Sequence, residues 1–596
     1  METNYFLNVR KSASGMAWRS RLGPVEENAA LAMAQTHGMT DLVARVLAGR
    51  GVTLDEAERF LQPTIRDLMP DPSSLTAMDE AAARIAAGIL EGERIAVFGD
   101  YDVDGAASSA LMSRYLRHYG VPHEIYIPDR IFEGYGPNPA AMRDLCARGA
   151  TLIVTVDCGS NSAEAIAAAR DAGADVVVLD HHQIVGDLPE AALAVVNPNR
   201  DDDLSGQGYL CAAGVVFLAL VRVSALLRAR EGVKRPPDLL SMLDLVAMAT
   251  VCDVVPLKGI NRAFVGRGVQ VARRLETPGL AALAEVARIG EPVAPWHFGF
   301  ALGPRINAGG RIGDAALGSR LLAGDDPSEA REIAARLDQL NRERQAMEQA
   351  MLEEARAQVD AELMHGNGPA VLVTESSHWH PGIVGLIASR LKDSARRPAF
   401  AIAFDANGRG TGSGRSIPGL DLGRLVGEAV REGLLIKGGG HAMAAGITVE
   451  RARLGELRAF FEERSRQAVD ALMAGQSIKV DAALSADGAN LALMDQLEQA
   501  GPFGAGHPQP VFAMPRHTVS GVQPVGNGGA HLRVTLQSQT GRRIEAMAFR
   551  TADTPLGRFL MQNRGRMIHT AGTLGLNHWN GQVRVQYRLL DAAEIV

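Results

Sequence analysis

Residues 95–105 read IAVFGDYDVDG, a five-residue run of strand character that leads straight into three carboxylates, Asp100, Asp102 and Asp104, and a glycine. TLIVTVDCGS at 151–160 repeats the design with Asp157, and DVVVLDHH at 175–182 repeats it with Asp180, His181 and His182. A helix-like run, LVAMATVCDVVPL at 245–257, ends in the same way with Asp253. In a parallel α/β sheet the carboxyl ends of the strands form one rim, and ligands bind there. Residues far apart in sequence are therefore expected to converge on one acidic, imidazole-bearing spot. So many carboxylates do not stay ionised together without cations between them. The pattern predicts a divalent metal centre with two ions.

Around these stretches strands and helices alternate. Strands are expected at 94–99, 124–127, 151–156, 175–179 and 194–196, with helices at 106–119, 140–147 and 162–172. This alternation predicts an α/β fold built on a doubly wound parallel sheet. Helices dominate from about 209 to 290. Residues 328–364 are highly charged, with Leu337, Leu340, Met347, Met351 and Leu352 at helical spacing and no Pro or Gly between them. They predict one long exposed helix joining two domains. A second α/β unit begins near Pro369 and carries two glycine-rich segments read as loops, GRGTGSGRS (408–416) and KGGGHAMAAG (437–446). The last 120 residues or so switch to short runs such as HLRVTLQ, RIEAMAF and VRVQYRLL separated by Gly, Pro and Asn. Such runs predict a small barrel, of which an oligonucleotide-binding (OB) barrel is the type that fits. The expected layout is an N-terminal helical extension (1–85) packed on the domain next in sequence, a catalytic α/β domain (86–325), a connecting helix (326–366), a second α/β domain (367–474) and the β-rich barrel (475–596).

Composition supports a multidomain globular protein. At 596 residues the chain is too long for one core, and 46% hydrophobic with 22% charged residues is ordinary. The net charge of −7 argues weakly against a nucleic-acid partner. Residues 505–596, however, hold ten Arg against two Glu and two Asp, about +6 locally. Four cysteines without CxxC spacing suit a reducing cytosol. No apolar leader opens the chain, and Leu210–Leu227 reads as a buried core helix rather than a membrane span. A cytoplasmic protein is expected.

The donor types narrow the metal. Asp102 and Asp104 lie two apart and point the same way in an extended segment. Gly105 and Gly159 leave room for a turn and for a ligand at the backbone. Asp157, between the other carboxylates, is the candidate bridge. Mostly oxygen donors with one or two imidazoles favour Mn²⁺ or Mg²⁺ over zinc. Two such ions can activate a water and stabilise the leaving oxygen of an in-line phosphoryl displacement. Asp180 is placed to orient its neighbouring imidazoles, and His182, if not a ligand, to contact phosphate.

Jointly, GDYDVDG, VDCG, DHH and ATVCDVVPL resemble the DHH phosphoesterase superfamily, closely its RecJ branch, and GSGRS and GGGHAMAAG resemble the associated DHHA1 domain. The resemblance runs from about residue 60 to the end. It implies a metal-dependent 5′→3′ exonuclease acting on single-stranded DNA in repair and recombination. It also implies that Asp100, Asp102 and Asp157 serve one metal, and Asp104, Asp157, His181 and Asp253 the other. Arg130 and Tyr135 in IPDRIFEGYG, Arg305, Asn307 and Arg311 in GPRINAGGRIG, Arg415 and Ser416 in GSGRS, and His441 in GGGHA become substrate-binding candidates. His378 and His380 in SHWHPGIVG read as structural or capping residues, and Trp379 as a base-stacking or core residue. Phe549, Phe559 and Trp579 are stacking candidates in the barrel. Expected partners are single-stranded DNA, a single-strand-binding protein and a helicase, with no membrane and a monomeric state. The alternative activity is that of a DHH–DHHA1 phosphodiesterase on short oligonucleotides or cyclic dinucleotides. A scaffold role predicts lost carboxylates, and here all are present.

Overall fold

The structure is a computed structural model; it describes residues 5–129, 133, 134, 136–363, 368–579 and 582–595. The chain forms two compact units: Pro70–Val255 with Arg267–Gly475, and Met1–Met69 with Pro256–Gly266 and Gln476–Val596. Among the described residues no helix is long and apolar enough to cross a membrane.

The larger unit begins with helix α1 (Met78–Glu91) and strand β1 (Ile95–Gly99). Next come α2 (Val103–His118), β2 (His123–Tyr126), α3 (Pro139–Ala147), β3 (Leu152–Val156), α4 (Ala163–Asp171), β4 (Asp175–Leu179) and β5 (Ala194–Val196). The five strands form one parallel sheet in the order β2-β1-β3-β4-β5. Val- and Ile-rich β1 and β3 are buried along their whole length, as strands covered on both faces require. The strand register aligns the carboxyl ends. Gly99 pairs with Val156, Val156 with Leu179, and Leu179 with Val196. The next residues, Asp100, Asp157, Asp180 and Asn197, therefore leave the sheet side by side along one rim. Helices α5 (Ala212–Arg228), α6 (Leu243–Cys252) and α7 (Gly303–Ile312) complete this part.

Helix α8 (Pro327–Leu363) runs 37 residues. It is not the exposed rod the charge pattern predicts. Ala330, Ala334, Leu337, Asn341, Arg344, Glu348, Met351 and Ala355 recur every three or four residues and are buried. The stripe escapes a hydrophobicity reading because its centre is polar: Arg344 pairs with Glu348, which also receives Arg390.

The second sheet contains β6 (Leu372–Ser376), β7 (Ala399–Phe404), β8 (Arg409–Arg415), β9 (Lys437–His441) and β10 (Ala444–Glu450) in the order β9-β10-β8-β7-β6. Only β6 and β7 are parallel. Helices α9 (Val384–Ala395), α10 (Leu422–Arg431) and α11 (Leu454–Ala474) pack on it. The two glycine-rich segments are thus strands rather than loops. Their inward glycines yield to large neighbours: a Cβ on Gly410, Gly412 or Gly414 would come within 2.6, 2.8 and 2.4 Å of Phe404, Ile447 and Phe400.

In the smaller unit, β11 (Ser477–Val480), β12 (Ala482–Ala483) and α12 (Leu491–Ala500) lead into β13 (Val511–Val525), β14 (His531–Gln537), β15 (Arg543–Ala548), α13 (Pro555–Gln562), β16 (Met567–Trp579) and β17 (Gln582–Ala593). The order β13-β14-β15-β17-β16 closes back on β13, with only β15 and β17 parallel, giving a five-stranded barrel of OB type. The N-terminal segment departs from expectation. Residues up to 69 belong with this barrel instead of the domain next in sequence. Ala17–Ser20 pairs parallel with β11, and the fully buried Trp18 donates Nε1–H to Asp591 at 3.0 Å. Arg21 and Arg50 both pair with the buried Asp481. Helix α1, by contrast, sits in the larger unit.

Candidate metal centre and phosphate-binding residues

Backbone N–H groups hold the Asp102 and Asp104 carboxylates. Asp102 caps α2, its Oδ1 accepting from the N–H groups of Asp104 (2.9 Å) and Gly105 (3.1 Å). Gly105 is required there because a Cβ would lie 2.4 Å from the Asp100 carbonyl oxygen. The close approach expected of a ligand is made by the chain itself. Asp104 is buried and accepts from Ala212 N–H (2.6 Å) and Ala213 N–H (2.8 Å) at the start of α5. Asp157 is buried with φ +61, a left-handed conformation unusual for a non-glycine residue. Such strain costs about 1–3 kcal/mol and concentrates at functional sites. Asp253 caps the C-terminus of α6.

These groups meet at His181. Its Nε2 lies 3.3 Å from Asp157 Oδ1, 3.6 Å from Asp104 Oδ2 and 3.7 Å from Asp253 Oδ2. Its Nδ1 is 3.1 Å from the Leu210 carbonyl, which makes Nδ1 the protonated nitrogen and turns the Nε2 lone pair toward the carboxylates. Asp157 Oδ1 and His181 Nε2 are both buried and hydrogen-bond to nothing among the described residues. Lone pairs facing lone pairs in a buried cluster are the arrangement a cation resolves. Asp100, Asp102 and Asp157 bring ligand atoms close together on one side, and Asp104, His181 and Asp253 on the other. The donor set therefore fits two divalent ions that prefer oxygen.

The electrostatics agree. Burial, then the neighbouring carboxylates, push Asp157 well above the usual carboxylate range. Burial, then Asp104 and Asp102, push Asp253 up to about 9. Asp180 behaves oppositely. Burial alone would raise it, but it accepts from Ser160 N–H (3.0 Å), His181 N–H (2.8 Å) and His182 Nδ1–H (2.8 Å), and is held low. It therefore orients the His182 ring and holds the His181 backbone, while the Leu210 carbonyl orients the His181 ring. Burial would lower His182, but the Asp180 bond and the carboxylate field outweigh this and raise it to about 9.

Two asparagines escaped the sequence reading. Asn197 Nδ2 donates to Ser160 Oγ (2.9 Å) and the His182 carbonyl (2.9 Å), and Asn199 Nδ2 to the His181 carbonyl. They lock the DHH turn. The signal was NPNR directly after the fifth strand, the same rim position as the carboxylates.

The substrate-binding candidates fare unevenly. Arg130 and Tyr135 lie outside the described residues. Arg305 is taken up by Asp338 (2.9 Å) and the Ala301 carbonyl (2.6 Å), so it braces α7 against α8 instead of offering a phosphate contact. Asn307 Oδ1 is buried without a partner among the described residues. Arg311 Nη1 reaches the Gly382 carbonyl at 3.4 Å. Ser416 is buried, its hydroxyl donating to the Leu420 carbonyl at 2.7 Å, and serves the turn after β8. The serine beside Arg415 is Ser413, whose Oγ accepts from Arg415 Nη1 at 2.8 Å; strand alternation puts both on one face, which a loop reading missed. His441 ends β9; partial desolvation, then the charges of Arg415 and His182, lower its pKa. Trp379 is a core residue donating to Glu354 at 2.7 Å. Phe559 packs on the barrel core and Phe549 is half exposed; the side chain of Trp579 lies outside the described residues.

Comparison with known proteins agrees with this architecture. Residues 94–250 match the DHH family, N-terminal domain, residues 368–467 the DHHA1 domain, and residues 480–591 the RecJ OB domain. The chain is 37% identical over 513 residues to the single-stranded-DNA-specific exonuclease RecJ of Salmonella typhimurium, covering 82% of this chain and 87% of that one. It is 32% identical over 590 residues to RecJ of Bacillus subtilis, covering 98% and 71%. Among solved structures, RecJ of Thermus thermophilus in complex with Mn²⁺ is similar with a TM-score of 0.77 and 28% identity, covering 96% of this chain and 78% of that one. Three matched domains in the observed order, and identity at this level across most of both chains, show that the chain belongs to the RecJ family.

Proposed function

We propose that this protein hydrolyses single-stranded DNA from the 5′ end as a two-metal exonuclease of repair and recombination. Membership of the RecJ family supports the activity and substrate. The observation that carries the chemistry is the pair of orphaned buried atoms, Asp157 Oδ1 and His181 Nε2, within a ring of carboxylates. In the proposed assignment Asp100, Asp102 and Asp157 hold one ion, and Asp104, Asp157, His181 and Asp253 the other. Bound Mn²⁺ or Mg²⁺ supplies activation of water and neutralisation of charge on the phosphate. Asp180 holds His182 by its Nδ1–H and so orients the ring to contact a phosphate that enters the cluster. Arg311, Arg415 with Ser413, and His441 are proposed to hold the terminal 5′-phosphate and so set polarity.

The catalytic domain is assigned to 86–325, the DHHA1 domain to 367–474 and the OB domain to 475–596. A monomeric cytoplasmic protein that cooperates with a single-strand-binding protein and a helicase is part of the same proposal. An enzyme restricted to short oligonucleotides or cyclic dinucleotides needs only the first two domains, and the RecJ OB match speaks against it. The test uses end-labelled single- and double-stranded DNA and RNA with Mn²⁺, Mg²⁺ or chelator. Single-stranded DNA should be shortened from its 5′ end, chelator should stop this, and Asp157→Ala should abolish it while leaving the fold intact. Near-normal rates for Asp157→Ala under saturating metal would disprove the two-metal assignment.

A further inference from the structure

His380 precedes a stretch that makes two close backbone approaches. A Cβ on Gly382 would lie 2.3 Å from the Arg311 carbonyl oxygen and 3.1 Å from His380 Nδ1. A Cβ on Gly385 would lie 3.0 Å from Arg415 Nη2 and 3.2 Å from Ser413 Oγ. The segment that carries His380 therefore meets both arginines assigned above to the 5′-phosphate, Arg311 through Gly382, whose carbonyl accepts from Arg311 Nη1 at 3.4 Å, and Arg415 through Gly385. Its Nδ1 accepts the Gly382 N–H at 3.1 Å. A ring nitrogen that accepts carries no proton, so Nε2 is the N–H. That Nε2–H has no hydrogen-bond partner among the described residues and is not sealed from solvent. Burial lowers the pKa of the ring, which keeps it neutral near pH 7. The result is a donor of fixed tautomer and no charge on the segment that meets both arginines.

We infer that His380 is a substrate-binding residue whose Nε2–H donates to an oxygen of the terminal 5′-phosphate. The inference rests on the reading of Arg311 and Arg415 as terminal-phosphate ligands. A terminal monoester carries up to two charges and three strong acceptor oxygens. Two arginines do not exhaust them, and a neutral donor adds a bond without further repulsion between cations.

The test is direct binding, so it does not depend on hydrolysis. Fluorescence anisotropy of full-length protein in chelator is measured with a decamer bearing either a 5′-phosphate or a 5′-hydroxyl. Wild type should prefer the phosphate. His380→Ala should cut that preference about tenfold, the loss expected for one hydrogen bond to a charged group, with the 5′-hydroxyl affinity much less affected. His380→Phe keeps a ring but no donor and should behave like His380→Ala. His380→Gln restores an N–H at similar reach and should recover most of the preference. Thermal midpoints accompany each variant; should His380→Ala fail to fold, the Phe and Gln pair decides. Unchanged preference in His380→Phe overturns the inference. So does an equal loss on both oligonucleotides, which would assign the donor to an interior phosphate, and so does a wild type without preference.

Discussion

Asp157, itself buried, faces Asp104, Asp102, Asp100 and Asp253, and without cations its charge is unfavourable. The consequence for stability has a definite sign. Asp253, pushed up to about 9 by burial and by Asp104 and Asp102, has a folded-state pKa above its unfolded value of about 3.9. Its neutral form is thus favoured by folding. The contribution is complete below pH about 4 and is lost as pH rises toward 9. In chelator, the thermal midpoint of wild type minus that of Asp253→Asn should therefore fall across this window, and saturating Mn²⁺ should remove the trend. A difference that stays flat in chelator would mean the cluster is solvated enough to ionise freely. The carboxylates of this cluster were legible in the sequence because each directly follows an apolar run. The partners that aim them were less so. Leu210, whose carbonyl fixes the His181 tautomer, lies 29 residues away, and no local pattern announces a carbonyl.

At the scale of elements, periodicity read the parallel sheet correctly because its strands are short and, apart from β2, apolar. It failed where side-chain size, not polarity, decides the structure. β8 and β9 looked like loops since glycine has no strand propensity. In β8 the sheet selects glycine because Phe400, Phe404 and Ile447 fill the inner face. Gly414→Ala should accordingly cost roughly 1–3 kcal/mol through overpacking, since its Cβ would sit 2.4 Å from the Phe400 ring. Gly446→Ala in the neighbouring β10, where a Cβ meets nothing within 4 Å, should be near neutral. Denaturant midpoints at unchanged m-value measure both; equal costs would refute the packing explanation. The stripe of α8 was misread for the converse reason, as its buried Arg344–Glu348 pair carries charge where apolar residues were sought.

For the whole molecule, the division into units changes how the barrel's role can be tested. Removing residues 476–596 would strip Ala17–Ser20 of its strand partner and Trp18 of Asp591, and leave Arg21 and Arg50 without Asp481. Loss of binding after such a deletion would report damage to the N-terminal segment as readily as loss of a DNA contact. Point substitutions avoid this. The barrel carries a groove of about 1230 Å³ whose lining includes Arg533, Arg542, Arg543 and Arg584 against the single carboxylate of Glu545. None of the four arginines forms an ion pair among the described residues; Arg533 and Arg584 donate only to Gln523 and Gln582. Four guanidinium groups against one lining carboxylate in a concave surface are suited to phosphates of a single strand, and each phosphate contact contributes about 0.7 to the slope of log K against log salt. Replacing all four by Gln should weaken binding of long single-stranded DNA and flatten that slope by roughly 3. Cleavage of very short oligonucleotides should hardly change, because the metal cluster belongs to the larger unit. A well-folded quadruple variant that keeps the wild-type affinity and slope would remove DNA from this groove and leave it as a surface for docking another protein.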